Sequence, residues 1–489
     1  MSSCKVAEAN QEQSLIQSLA GFANDLSLDK VPERVRQEAK LCILDTLGCI
    51  LAGADMPEAQ SFLKAERQLS GQNSLDLLIP SSPVAKARIF GYWGDVFELN
   101  DLVGGHGSIG NVTAAILGAR VKNATGADLL RAVITGLEIT CRLQRCISAQ
   151  KKPFEELANV SICMVSAFGA AGALSQLYRL PEQKTANALA VSGAIANWGP
   201  AEVIFGDGGT IKPIQFGGCP AESALRAVEY AENDITGPLR LLESKLGLLT
   251  TFTKGFDSGI IRDRDTWYLL KPQRKLHACC GFTHSSIDAV VAMRNQGVDF
   301  TKAEHLELAL PEFVISGVYK PKPPTTSNEA RFHISYCVAL AANGADAILP
   351  DHSVNFETFI NQPEIKQMID KISIRPLEES EILPVKVFND VYNQSVITVR
   401  DINGEVTKGS CTAPRGSAAN PLSDDQVLEK FRLLTQNRFG LSLIDECIEK
   451  VMAIEMKKEC GWIYDLLDKA LASVSKQFIT KFDFNSFGK

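Results

Sequence analysis

Apolar positions recur at helical spacing through roughly the first 250 residues. Segment 33–52 (ERVRQEAKLCILDTLGCILA) carries the pattern and stops at Gly53, a helix terminator. Segment 111–121 (NVTAAILGARV) opens on Asn111, a good N-cap, and 126–141 follows Gly126 with a similar pattern. Segments 165–178, 183–196 and 220–231 continue the theme. Strand-like β-branched runs are scarce here. A Rossmann reading needs strand, GxGxxG and helix in succession; the glycine pairs Gly104-Gly105 and Gly208-Gly209 lack that context.

The pattern changes near residue 265. Short strand candidates follow at 305–310, 372–376, 384–388 and 395–400. The stretch ITVRDINGEVTKG predicts a hairpin, with Asn403-Gly404 between two alternating runs. Helices are expected at 284–294 and 333–342, and a Pro-rich loop at 319–328 (YKPKPPTTSN). From Asn420 the helical pattern returns, at 424–435, 442–453 and 460–475. The architecture these elements predict is mainly α with an inserted α+β domain. Residues 1–267 and 418–489 form a discontinuous helical domain, and residues 268–417 an α+β lid. No internal repeat of fixed period is present.

Length agrees, since 489 residues exceed what one core usually supports. The 45% apolar and 22% charged composition excludes disorder, collagen-like repeats and a coiled coil. A net charge of −7 gives no overall pull on nucleic acid or an anionic membrane. Residues 157–178 and 185–201 carry no charge, but they are rich in Ala, Gly and Ser and contain Asn and Gln. They read as buried helices packed through small side chains, not as membrane spans. The 13 cysteines are odd in number, and residues 1–14 lack a secretory apolar core. Free thiols in a cytoplasmic protein are expected. Only Cys279 and Cys280 are close, and no second pair stands near to complete a zinc site.

An active site is expected between the two domains, where clefts form. Among six histidines, His106 stands out in the stretch from Glu98 to Ser108 (ELNDLVGGHGS). Two carboxylates, a glycine-flexed loop and an imidazole precede a helix start, where backbone N–H groups attract anions. The plain alternative is a loop with solvated acids and a capping His. Lys212 lies between glycines in GDGGTIKPIQFGG, where it could hold a carboxylate or sit on a surface turn. Lys275 to His284 (KLHACCGFTH) gathers a Lys, a thiol pair and two His in ten residues. Cys280 there is either a nucleophile or proton donor, or a buried small hydrophobe. Arg331 and Arg415 are candidate carboxylate clamps, with inter-domain salt bridges the alternative. No HExxH, EF-hand, Walker loop, GxSxG or kinase motif occurs, so the sequence supports neither metal nor nucleotide dependence.

Six segments in a fixed order resemble the MmgE/PrpD family, which includes 2-methylcitrate dehydratase, cis-aconitate decarboxylase and iminodisuccinate epimerase. They are VPERVRQEAKLCILDTLGCILAGA, the ELND…HGS loop, GGTIKPIQFGG, KLHACCGFTHSSIDA, EARFHISYCVALA and PRGSAANPLSDDQVLEKF. The resemblance runs from about residue 14 to residue 470. It implies a large all-α domain from both chain ends, an α+β lid and a homodimer. It also implies a site between the domains that takes a small di- or tricarboxylate with no metal or organic cofactor. By the resemblance, Glu98, Asp101 and His106 belong to the acidic loop, Lys212 to the glycine-flanked segment, and Lys275, Cys280 and His284 to the lid.

The departures concern imidazoles. Dehydratase and decarboxylase members carry a Gly-Phe/Trp-His motif where this chain has Ala158-Asn159-Val160. Gln215 and Cys280 stand where many members or the decarboxylases carry His. Three readings follow. The first is a cofactor-independent lyase forming an enolate-like intermediate. In it Lys212 and Lys275 stabilise charge, His106 helped by Asp101 is the general acid or base, and Glu98, Gln215, Arg331 and Arg415 bind substrate. The second is an epimerase of an amino- or imino-dicarboxylate, and the third a non-catalytic carboxylate-binding protein.

Overall fold

The structure is a computed structural model that describes residues 13–70, 82–152, 156, 159–205, 209–270, 272–382 and 394–481. The strand candidate 384–388 and Ala158 lie outside the described residues.

The periodic segments fold as helices whose ends follow local chemistry. α1 (Leu15–Asp25) starts in a capping box, with the Ser14 N–H donating to Gln17 Oε1 at 3.0 Å and the Ser14 hydroxyl accepting from Gln17 N. α2 (Glu33–Gly53) is buried without interruption from Glu38 to Leu51, charged side chains included. α3 (Pro57–Leu69) and α4 (Pro83–Asp95) both open on proline, which lacks the N–H a first turn cannot use. α5 (Gly107–Val121) begins four residues before Asn111, with His106 at its N-cap. Asn111 is therefore not the cap. Its amide donates to Gly107 O at 2.7 Å and to Thr140 Oγ1 at 3.1 Å. The small residues of Gly107–Gly110 let α5 continue back against its neighbour, so packing overrides the capping preference.

α6 (Gly126–Ser148), α7 (Ile162–Tyr178), α8 (Glu182–Ile195) and α9 (Cys219–Glu232) complete this body, and α7 packs most extensively on α6. The two charge-free stretches hold α7 and most of α8, from Thr185 to Ile195. Among the described residues no helix is long and apolar enough to cross a membrane.

Among the described residues four strands form one mixed sheet in the order β2-β1-β3-β4. β1 (Ala303–Leu310) pairs in parallel with β2 (Ile372–Pro376) and antiparallel with β3 (Ser395–Asp401), which pairs antiparallel with β4 (Val406–Cys411). Leu306 sits opposite Ile372 on one side and Val399 on the other. Along β3, Ser395, Ile397 and Val399 are buried while Val396 and Thr398 are half-buried, the two-residue period expected of a one-faced sheet. α10 (His284–Asn295) lies against β3 and β4, and α11 (Ile334–Ala342) packs on α10. After the sheet come α12 (Asp424–Thr435), α13 (Leu441–Met452) and α14 (Gly461–Lys481).

Two large apolar cores result. One draws on residues 15–278 and 431–474, the other runs from Cys279 to Val399. The two chain crossings between them touch: Arg274 N donates to Gly416 O at 2.7 Å. Gly416 has φ +87°, and a Cβ there would lie 1.7 Å from the Arg274 carbonyl oxygen, so the crossing requires glycine.

Candidate active site

The acidic loop begins where α4 ends. Within α4, Gly91 meets Gly217 backbone to backbone, and a Cβ on Gly217 would lie 2.1 Å from Gly91 O. Gly217 belongs to Ile214–Gly218, a single π-helical turn of the kind that recurs at functional sites. This close approach sets Lys212, Gln215 and Phe216 beside the last turn of α4 and its final residue, Asp95.

A buried chain of charges follows. Lys212 Nζ donates to Asp95 Oδ2 at 2.6 Å and also to Glu98 Oε1. Lys275 Nζ donates to the other Glu98 oxygen at 2.9 Å. His106 Nδ1 lies 3.1 Å from Asp95 Oδ1, with the Asn100 side chain alongside. The order in space is Lys275, Glu98, Lys212, Asp95, His106, and the most open of the five, His106, is only 8% exposed. The Phe216 ring lies 5.0 Å from the His106 ring and 4.5 Å from Lys212 Nζ. Glu98 has φ +55°, a left-handed backbone uncommon for a residue with a side chain.

Burial lowers Lys212 to about 8, against the pull of Asp95, and lowers Lys275 as well. Burial alone would raise Asp95, but Lys212 and His106 outweigh it and hold the carboxylate below its ordinary range. Two ammonium groups and two carboxylates thus share one dry volume.

Asp101 lies elsewhere than the sequence suggests: the carboxylate on His106 is Asp95. The Asp101 carboxyl is buried with neither oxygen in a hydrogen bond of ordinary geometry, and burial and Asp45 push it up to about 6. Its backbone N–H donates to Asp45 Oδ2 at 2.8 Å. Asp45 pairs through Oδ1 with Lys430 at 2.6 Å, and Lys430 also donates to Leu99 O at 2.7 Å. A pair from α2 and α12 therefore holds the loop from behind.

Cys280 feels the charge of both lysines, and its N–H donates to Arg331 O at 2.8 Å. Burial raises its thiol, which keeps it protonated. His284 is one step removed. Its Nε2 lies 3.3 Å from Cys279 O, its ring stands edge-on to His277 at 4.8 Å, and burial lowers it well below the usual imidazole range. His277 accepts from Ile348 N at 3.1 Å and reaches Asp288 with its other nitrogen at 3.1 Å. Arg415 is engaged by that same Asp288, through its backbone N–H at 2.6 Å, Nε at 2.9 Å and Nη2 at 2.7 Å. Its guanidinium ties two parts of the sheet-containing half together. Arg331 donates from Nη2 to Glu58 Oε1 at 2.8 Å, reaching α3, while its buried Nε and Nη1 have no partner among the described residues.

Gln215 packs on Gly199, where a Cβ would lie 2.6 Å from Gln215 Nε2, and Val160 N donates to Gly199 O at 2.9 Å. Val160 joins Cys163 and Phe216 in a small apolar cluster bordered by Ala201 and Ile204. Gln215 and Val160 thus both meet Gly199. Among the described residues no three His, Cys, Asp or Glu side chains gather as a metal site would require.

Asp95, Asp45 and Lys430 were missed by sequence reasoning. The available signal was a lone carboxylate inside an apolar run: Asp95 in IFGYWGDVF and Asp45 in LCILDTLGCI. Lys430, in an ordinary amphipathic helix, carries no such signal.

A helical core spanning a buried lysine–carboxylate chain and a second core built on a small mixed sheet define a two-part architecture. The MmgE/PrpD N-terminal domain matches residues 17–260 and the MmgE/PrpD C-terminal domain residues 277–453. The chain belongs to the MmgE/PrpD family. It is 22% identical to cis-aconitate decarboxylase of Aspergillus terreus, over 94% of this chain and 97% of that protein. It is 23% identical to cis-aconitate decarboxylase of Homo sapiens, over 93% of this chain and 95% of that protein.

Proposed function

We propose that this protein is a lyase of dehydratase or decarboxylase type, acting on a small di- or tricarboxylate through an enolate-like intermediate and needing no metal or organic cofactor. Family membership and the decarboxylase relatives support the reaction class. The observation that carries it is the buried chain from Lys275 through Glu98, Lys212 and Asp95 to His106. When a proton or CO2 leaves the carbon next to a carboxylate, negative charge spreads onto that carboxylate. Two ammonium groups in a dry site stabilise it far better than water does. His106, oriented by Asp95, moves the proton at the reacting carbon or at the departing hydroxyl. Cys280, whose thiol burial keeps protonated and which feels the charge of both lysines, is a second candidate proton donor.

The nested division is part of the same proposal. Residues 1–267 and 418–489 build the body and 268–417 the lid, so a substrate enters when the lid parts from α3, α4 and the acidic loop. Incubation with citrate, 2-methylcitrate, cis-aconitate and iminodisuccinate in D2O, without added metal, tests the reading. Loss of water or CO2 is expected. Deuterium exchange with optical inversion would replace the lyase with an epimerase. Tight carboxylate binding with no turnover of any of the four would reduce the protein to a binding module.

A further inference from the structure

We propose that the Glu98 carboxylate is a resident stand-in for a substrate carboxylate, and that substrate binds by displacing it from between Lys212 and Lys275. The inference rests on the carboxylate-lyase reading above and adds what the site does before substrate arrives.

Three observations carry it. First, Glu98 offers one oxygen to each lysine: Oε1 to Lys212, and Oε2 to Lys275 at 2.9 Å. That is the arrangement an incoming carboxylate needs for its charge to be shared by both ammonium groups. Second, no cation there is left over. Lys212 and Lys275 are 3% and 2% exposed, and both are already ion-paired. Two lysines against Asp95 and Glu98 make a neutral cluster. An added substrate anion would leave uncompensated charge in a dry site, which is strongly unfavourable. One resident carboxylate has to leave. Third, the two carboxylates are not equally held. Asp95 closes a regular helix and is bound on its other oxygen by His106. Glu98 sits outside any helix, on backbone at φ +55° that a residue with a side chain seldom adopts.

The groups facing Glu98 are Lys212 and Lys275 directly, with Asp95 and His106 behind Lys212, and the Cys280 thiol within reach of the lysines' charge. Asp101, Asp45 and Lys430 brace the loop on its other side. Lys430 is not free to take up a further anion, because Asp45 holds it. The displaced form is a minor conformer in the free protein, and apparent affinity is reduced by its population.

The test uses the full chain and tricarballylate, a saturated tricarboxylate with no leaving group, with binding read by calorimetry and by the shift in melting temperature. Glu98→Gln keeps the shape and removes the competing charge. It is expected to bind tricarballylate on the order of tenfold more tightly than the unaltered protein, as removal of a minor-state penalty predicts. Lys212→Ala is expected to abolish binding in both backgrounds. Should Glu98→Gln not fold, Glu98→Asp provides the test: one methylene shorter, it spans the two lysines poorly and is expected to bind more tightly than the unaltered protein. Equal or weaker binding by the Glu98 variants, with binding still lost in Lys212→Ala, overturns displacement and leaves the carboxylate site standing. Binding by none of the proteins, or binding indifferent to Lys212→Ala, overturns both readings.

Discussion

At the scale of single residues, burial sets the chemistry. Lys212 keeps an ammonium group in a dry site only because Asp95 and Glu98 offset its desolvation. Lys212→Ala should lower kcat/KM on the substrate that turns over by on the order of 10² or more, the cost of losing one preorganised charge from an oxyanion-type site. Steady-state kinetics would show it, and unchanged rates would remove the residue from the reaction. Asp101 predicts a pH effect on stability. The folded protein holds its proton up to about pH 6, whereas the unfolded chain releases it near 3.8. Between those values the native state binds more protons, so stability falls as pH rises through that window. The total is about 3 kcal/mol, at about 1.4 kcal/mol per pH unit. Asp101→Asn should remove that slope in urea unfolding between pH 4 and 6. Glu138, pushed up to about 7 by burial, keeps a slope of its own in the variant. The Asp101 account fails if the variant loses stability over this range as steeply as the unaltered protein.

At the scale of elements, the site is held by parts far apart in sequence. α12 contributes no group to the lysine–carboxylate chain, yet Lys430 on it grips Asp45 of α2 and the Leu99 carbonyl. Lys430→Ala would strand the Asp45 carboxylate, which is fully buried. Breaking such a pair typically costs about 3–5 kcal/mol, and denaturant unfolding should show a loss of that order. Lys430→Met, which fills the space but leaves the same carboxylate unpaired, should be destabilised too; full stability in either variant would show that the pair does not brace the loop. Helix positions were legible here because the 3.6-residue period survives in α6 and α9. The start of α5 was not, because Gly107–Gly110 looks like a loop until α6 is placed against it.

At the scale of the whole molecule, the two cores meet where the chain crosses twice. Gly416→Ala would place a Cβ against the Arg274 carbonyl oxygen at a backbone angle that alanine rarely adopts. The combined strain and overlap should cost on the order of 3 kcal/mol. Lys275 is the residue after Arg274, so activity should fall along with stability. Normal unfolding and normal turnover in this variant would mean that the crossing is pliable. In a chain with net charge −7, the buried lysines Lys212, Lys275 and Lys430 each hold a resident carboxylate.

The sequence by itself determined the helical periods, the hairpin at Asn403-Gly404 and the family, and the family resemblance singled out Glu98, His106, Lys212 and Lys275. Each of these is written in local spacing or in short segments, and local spacing is what a chain displays before it folds. Tertiary structure decided which carboxylate meets His106, that Arg415 serves Asp288, and that Lys430 supports the loop from a distant helix. Those outcomes depend on which buried charges end up within about 3 Å of one another. That distance is set by the packing of α2, α4, α12 and the π-helical turn, and no run of residues along the chain encodes it.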